Sequence, residues 1–226
     1  MPMKNRSGLT RNLLCSLIIL GWLASSALAA PPDNYTATMV MEGMSMPMAK
    51  WKNKTRMENP MMKGMVTIHD QATGKVIMYS SETQTYTEET PKEEKMLSAD
   101  DPRAVVEKKK IGTEKIDGHP CIKYDAVIYL KEKPNEKYKA ILWEAQDLGG
   151  LVIRQEMSLP PGKGMTGKER AVVELKDIKV GAAQPSMFEV PKGYRKVGSM
   201  MEMMGAPAGM EKQMQQLEEM MKRKKR

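Results

Sequence analysis

The chain has 226 residues, with 36 Lys and Arg against 28 Asp and Glu, a formal net charge of +8. Three of the basic residues (Lys4, Arg6, Arg11) precede the first apolar run and five more (Lys222, Arg223, Lys224, Lys225, Arg226) close the chain, so the part between them is neutral. A basic nucleic-acid surface therefore loses its support, and 24 methionines beside a single phenylalanine set this composition apart from an ordinary core.

Residues 1–29 read as a cleaved signal peptide. Lys4, Arg6 and Arg11 form the positive region, residues 13–23 the apolar run, and Ala27-Leu28-Ala29 the small-x-small site, with cleavage predicted before Ala30. Eleven residues in that run fall short of the about 20 that a membrane span needs. The expected location is the periplasm. Cys15 opens the apolar run instead of closing it, which argues against lipidation there. Cys121 is then alone in an oxidising compartment and has no internal disulfide partner.

Residues 35–42 alternate as a strand, with Tyr35, Ala37, Met39 and Met41 on one face. Gly43 breaks the parity. Lys50, Lys52, Lys54 and Arg56 then alternate with other residues, which predicts the solvated face of one strand. Residues 65–70 and 75–80 predict a hairpin around Gln71-Ala72-Thr73-Gly74, and residues 84–87 a further short strand. Asp101-Pro102, followed by RAVVEKKK, has the order of a helix start and a basic last turn, so one helix is expected over residues 101–109. Strands resume with the stripe Ile122, Tyr124, Ala126, Ile128 and Leu130. Residues 138–145 and 151–157 flank Asp147-Leu148-Gly149-Gly150, a hairpin signal.

Gly162, Gly164 and Gly167 match a dinucleotide fingerprint only formally. They follow Pro160-Pro161, lead into a strand, and place Glu169 where a P-loop needs Ser or Thr, so the stretch reads as a loop. Residues 170–180 are the last strand and residues 185–194 an irregular closing segment. In the tail, residues 199–226, Met210, Met214, Leu217 and Met221 recur at the spacing of one helical stripe.

Short turns between most strands predict antiparallel pairing. The expected fold is mainly β (α+β): a strongly curved antiparallel sheet with one or two helices on its concave side, spanning residues 30–198, plus a Met-rich, basic helical tail. The segments ILWEAQDLGGLVIRQEM, KIDGHPCIKYDAVI and FEVPKGY resemble the LolA-like half-barrel superfamily, and within it an uncharacterised Met-rich periplasmic branch. The resemblance covers residues 35–197. It implies an open sheet with a helical lid around an apolar cavity, which in the best-known members carries lipoprotein acyl chains. No ligand residue of those members has a matching position here.

The methionines pose the functional question. Nine fall within residues 35–65. Thioethers are either an adaptable apolar surface or soft metal ligands. On the first reading the protein is a non-catalytic carrier for a lipid-like or lipoprotein ligand, without a cofactor, and Tyr35, Met39, Met41 and Trp143 are the candidate cavity wall. On the second, Met44, Met46, Met48, Met61, Met62 and Met65 bind Cu(I) or Ag(I), with His119 and Cys121 as further donors. A third reading makes the chain an envelope interaction protein acting through its tail, whose residues 222–226 would touch an anionic membrane. With two histidines and no G-x-S-x-G elbow, hydrolytic catalysis is poorly supplied.

Overall fold

The computed structural model describes residues 30–90, 98–99, 101–158, 170–207, 210 and 220. Its strands are β1 (Asn34–Met41), β2 (Met44–Trp51), β3 (Lys54–Glu58), β4 (Met65–Asp70), β5 (Lys75–Ser80), β6 (Thr85–Glu89), β7 (Ala104–Ile116), β8 (His119–Leu130), β9 (Tyr138–Ala145), β10 (Leu151–Ser158), β11 (Arg170–Val180) and β12 (Arg195–Lys196). All twelve form one open sheet in the order β12-β6-β5-β4-β3-β2-β1-β11-β10-β9-β8-β7. Two meanders, β1–β6 and β7–β11, thus meet where β1 pairs with β11. Pairing is antiparallel except for β12, which lies parallel to β6, so the sheet is mixed.

Local chemistry explains the tight hairpins. Glu42 and Gly43 between β1 and β2 have φ of 52° and 86°, and Asp117 and Gly118 between β7 and β8 have 46° and 88°. Positive φ at both central residues gives the turn whose twist matches that of the strands it joins.

Two expectations are corrected. Residues 101–109 are not a helix: from Ala104 onward they belong to β7, which pairs with β8 along nearly its whole length. Asp101 and Pro102 belong to a turn, closed by the Ala104 N–H donating to the Asp101 carbonyl at 2.9 Å. Val105, Val106 and Ile111 favour the extended chain. The lysines are the protection expected of an exposed edge strand. The row Lys50, Lys52, Lys54, Arg56 does not share one strand face either. The chain turns at Lys52, which has φ of 53°, so Lys50 ends β2 while Lys54 and Arg56 begin β3.

Each face of the first meander is covered in part. On one, Ala49, Val66, Ile68 and Tyr79 pack against Ala183 and Phe188 of the segment after β11, which includes a 3-10 turn at Pro185–Phe188. On the other, Met65, Met78 and Val197 pack with Met200 and Met203 of the short helix α1 (Met200–Met203). Ser199 caps α1 by accepting from the Glu202 N–H. A third cluster, Ala126, Ile128, Ala140, Leu142 and Met157, fills the second meander. The largest joins both meanders and includes Tyr35, Ala37, Met48, Cys121, Trp143, Ile153 and Leu175.

No helix among the described residues is long and apolar enough to cross a membrane. The signal segment, the glycine loop at residues 160–168, most of the tail stripe and the basic run at 222–226 lie outside the described residues.

Candidate functional site: a methionine face

Residues that pair directly across strands share a face of the sheet. Met39 pairs with Met46 on β2 and with Leu175 on β11; Met41 pairs with Met44 and with Val173. Met48 pairs with Met57 on β3, and that register continues through Thr67 on β4 to Met78 on β5 and Thr87 on β6. No bulge interrupts the ladders from β1 to β6. Met39, Met41, Met44, Met46, Met48, Met57 and Met78 therefore lie on one face of the sheet, across β1, β2, β3 and β5.

Their burial divides them. Met48 is buried and belongs to the large core cluster, and Met39 and Met57 pack against it. Met41, Met44 and Met46 are half-buried and join none of the four hydrophobic clusters. The sheet supports them from behind, and α1 covers the same face further along, around Met65 and Met78.

The remaining sequence candidates do not join this uncovered set. Tyr35 and Trp143 are core residues, 4% and 3% exposed. Lys123 and Arg154 stack on the Trp143 ring at 4.7 and 4.9 Å, and its indole N–H donates to Glu114 at 2.8 Å. That bond, aided by Lys123 and Arg154, holds the Glu114 carboxyl below its usual range. Met61 is 80% exposed, and Met62 packs beside Met65 in the α1 cluster. His119 and Cys121 begin β8, which β1, β11, β10 and β9 separate from β2. His119 Nδ1 lies 2.8 Å from Asp147 Oδ2, and the Cys121 thiol donates to the His119 carbonyl at 3.4 Å. The eight candidate metal donors are thus spread over three places. The structure adds Met39, Met41 and Met57 beside Met44, Met46 and Met48, and also Met78, which sequence reading missed. The signal for Met78 was its parity in KVIMYS, readable only once its register partner is known.

Burial pushes the Cys121 thiol up, and the charges of Asp147 and Glu114 act in the same direction. A thiol held protonated is a poor nucleophile. Iodoacetamide is therefore expected to label Cys121 in the folded protein at pH 8 roughly a hundredfold more slowly than in urea, by mass spectrometry. Equal rates would show that the β8 start opens freely.

A cleft of about 380 Å³ is lined by Arg56, Glu58, Tyr79, Met187, Glu189 and Lys192 among others. Arg56 donates to Glu58 at 2.6 Å and to the Tyr79 hydroxyl at 3.4 Å, so its charge is already answered within the fold. The cleft mixes apolar groups with charges of both signs, and it lies on the face opposite the methionines of β1–β3.

No protein-family model and no curated protein matches the chain. Among solved structures it is similar to an outer membrane lipoprotein-sorting protein domain from Vibrio parahaemolyticus, at 9% identity and a TM-score of 0.35 over 69% of this chain and 89% of that one. It is also similar to a LolA superfamily protein from Nitrosomonas europaea, at 9% identity and a TM-score of 0.30 over 72% of this chain and 91% of that one. Both descriptions name the kind of protein that the sequence motifs resemble. At this identity and overlap, neither likeness bears on what this chain binds.

Proposed function

We propose that this chain is a non-catalytic binding protein of the periplasm whose ligand seat is the methionine face of β1–β3, and that the ligand is a flexible apolar chain of the acyl type, free or borne by a lipoprotein. The observation that supports this reading is the set Met41, Met44 and Met46: half-buried, contiguous across two strands, and outside every core cluster. A thioether side chain is unbranched, adaptable and polarizable, which suits a ligand of variable length and shape. The uncovered part of the face is the end of the β1–β2 hairpin, where Met41, Met44 and Met46 lie side by side. Each methylene covered contributes about 0.8 kcal/mol.

Native mass spectrometry of protein taken from the periplasm of its producing cells tests the reading, with a fluorescent fatty acid titrated into the delipidated protein. An adduct of lipid mass that is lost on denaturation is expected, with saturable dye binding. Ligand-free protein in every preparation, together with no dye binding, would remove the proposal.

A further inference from the structure

The β1–β2 hairpin tip carries a second feature that an apolar seat does not require. Met39 opposite Met46 and Met41 opposite Met44 form two adjacent cross-strand pairs, a two-by-two block of thioethers on one face. Directly opposed Cβ atoms lie about 5 Å apart, and successive same-face pairs roughly 7 Å apart. Three rotatable bonds in each methionine let four sulfurs from such a block converge on one point. Glu42 sits in the turn between Met41 and Met44. Its φ of 52° is a conformation in which such a turn ordinarily holds Asn, Asp or Gly. Its Oε2 is buried and accepts no hydrogen bond among the described residues. A buried carboxylate oxygen without a donor is costly and calls for a specific counterpart.

From this arrangement we infer that the hairpin tip binds a soft monovalent cation, Cu(I) or Ag(I), through the thioethers of Met39, Met41, Met44 and Met46, with the Glu42 carboxylate supplying the compensating charge. Thioethers select soft cations over the hard and borderline ions that oxygen and imidazole hold. Being neutral, they leave the charge of the ion unanswered, and one nearby carboxylate answers it. The site differs from the methionine set suggested by sequence spacing. Met61 and Met62 have no part in it, and Met48 is buried inside the core that Met39 only borders. The inference is independent of the acyl-chain reading, although the two share a surface.

The test uses the full mature chain. Under anaerobic, reducing conditions Cu(I) is partitioned between the protein and a chromophoric Cu(I) chelator. Ag(I) is titrated into protein carrying 13C-labelled methionine methyl groups. Capture of one equivalent of Cu(I) from the chelator is expected, with Ag(I) shifting the methyl resonances of Met39, Met41, Met44 and Met46 ahead of all others. Replacing these four by leucine, which keeps apolar volume, is expected to lower Cu(I) affinity at least about a hundredfold in a variant that still melts cooperatively. Glu42→Gln is expected to weaken Cu(I) about tenfold, and Met61→Leu with Met62→Leu to change nothing. Failure to compete with the chelator overturns the inference. So does an affinity that survives the fourfold leucine replacement in a variant whose melting curve shows it folded. So do Ag(I) shifts that begin at Met61 and Met62. None of these outcomes touches the acyl-chain reading, which is tested by native mass spectrometry and dye titration of the unsubstituted protein.

Discussion

Replacing Met41 and Met46 together by lysine is expected to lower the affinity for a fluorescent fatty acid about a hundredfold, while the urea midpoint corresponds to a loss of about 1 kcal/mol or less. The two effects part because of where these side chains stand. Both are half-buried and outside every core cluster, so lysine can lay its stem on the sheet and keep its ammonium in water. A docked acyl chain would strip that water from two unpaired charges, at a cost of several kcal/mol. Leucine at the same two positions is expected to change dye affinity less than about threefold, because volume and polarity are nearly conserved. Dye binding unaffected by the two lysines would place the ligand elsewhere on the molecule.

Trp143→Ala is expected to destabilise the fold by about 3–5 kcal/mol in urea unfolding. That is a large part of the about 5–15 kcal/mol that holds a typical domain together. The indole is 3% exposed within the cluster that joins the two meanders, and it is covered by Lys123 and Arg154. Removing it opens a cavity among Cys121, Ala145 and Ile153 and leaves Glu114 without its shortest donor. Trp143→Phe retains most of the ring and forfeits the N–H bond, for about 1 kcal/mol. A loss under about 1 kcal/mol for the alanine variant would mean that the two meanders do not depend on this ring.

The part of the fold legible in the sequence was that carried by local signals. Alternation gave β1, β4, β5 and β8, and the Asp147 to Gly150 turn marked the β9–β10 hairpin. β7 was misread for a physical reason. As an edge strand it is exposed along most of its length, so the in-out alternation that identifies a strand is missing, while Asp-Pro and a lysine run imitate helix ends. The β2–β3 turn was hidden because its positive φ falls on Lys52 and not on a glycine. The candidate site was legible only as a composition. Methionine spacing along the chain suggested Met44 with Met61 and Met65, whereas register sets Met44 against Met41 and Met46 against Met39. Register is a property of two strands at once, and one segment does not encode it.

The join between β1 and β11 has a kinetic consequence. Thr38 and Asp177, whose side chains meet there, are 139 residues apart in the chain. The first meander can form from neighbouring segments alone, but β1 then keeps one unpaired edge until β11, Arg170–Val180, docks on it. Closing so long a loop is slow compared with making a hairpin. During that interval the strand bearing Tyr35, Met39 and Met41 presents an open edge of the kind that recruits foreign strands. This waiting time, more than the final stability, sets how long that edge needs protection.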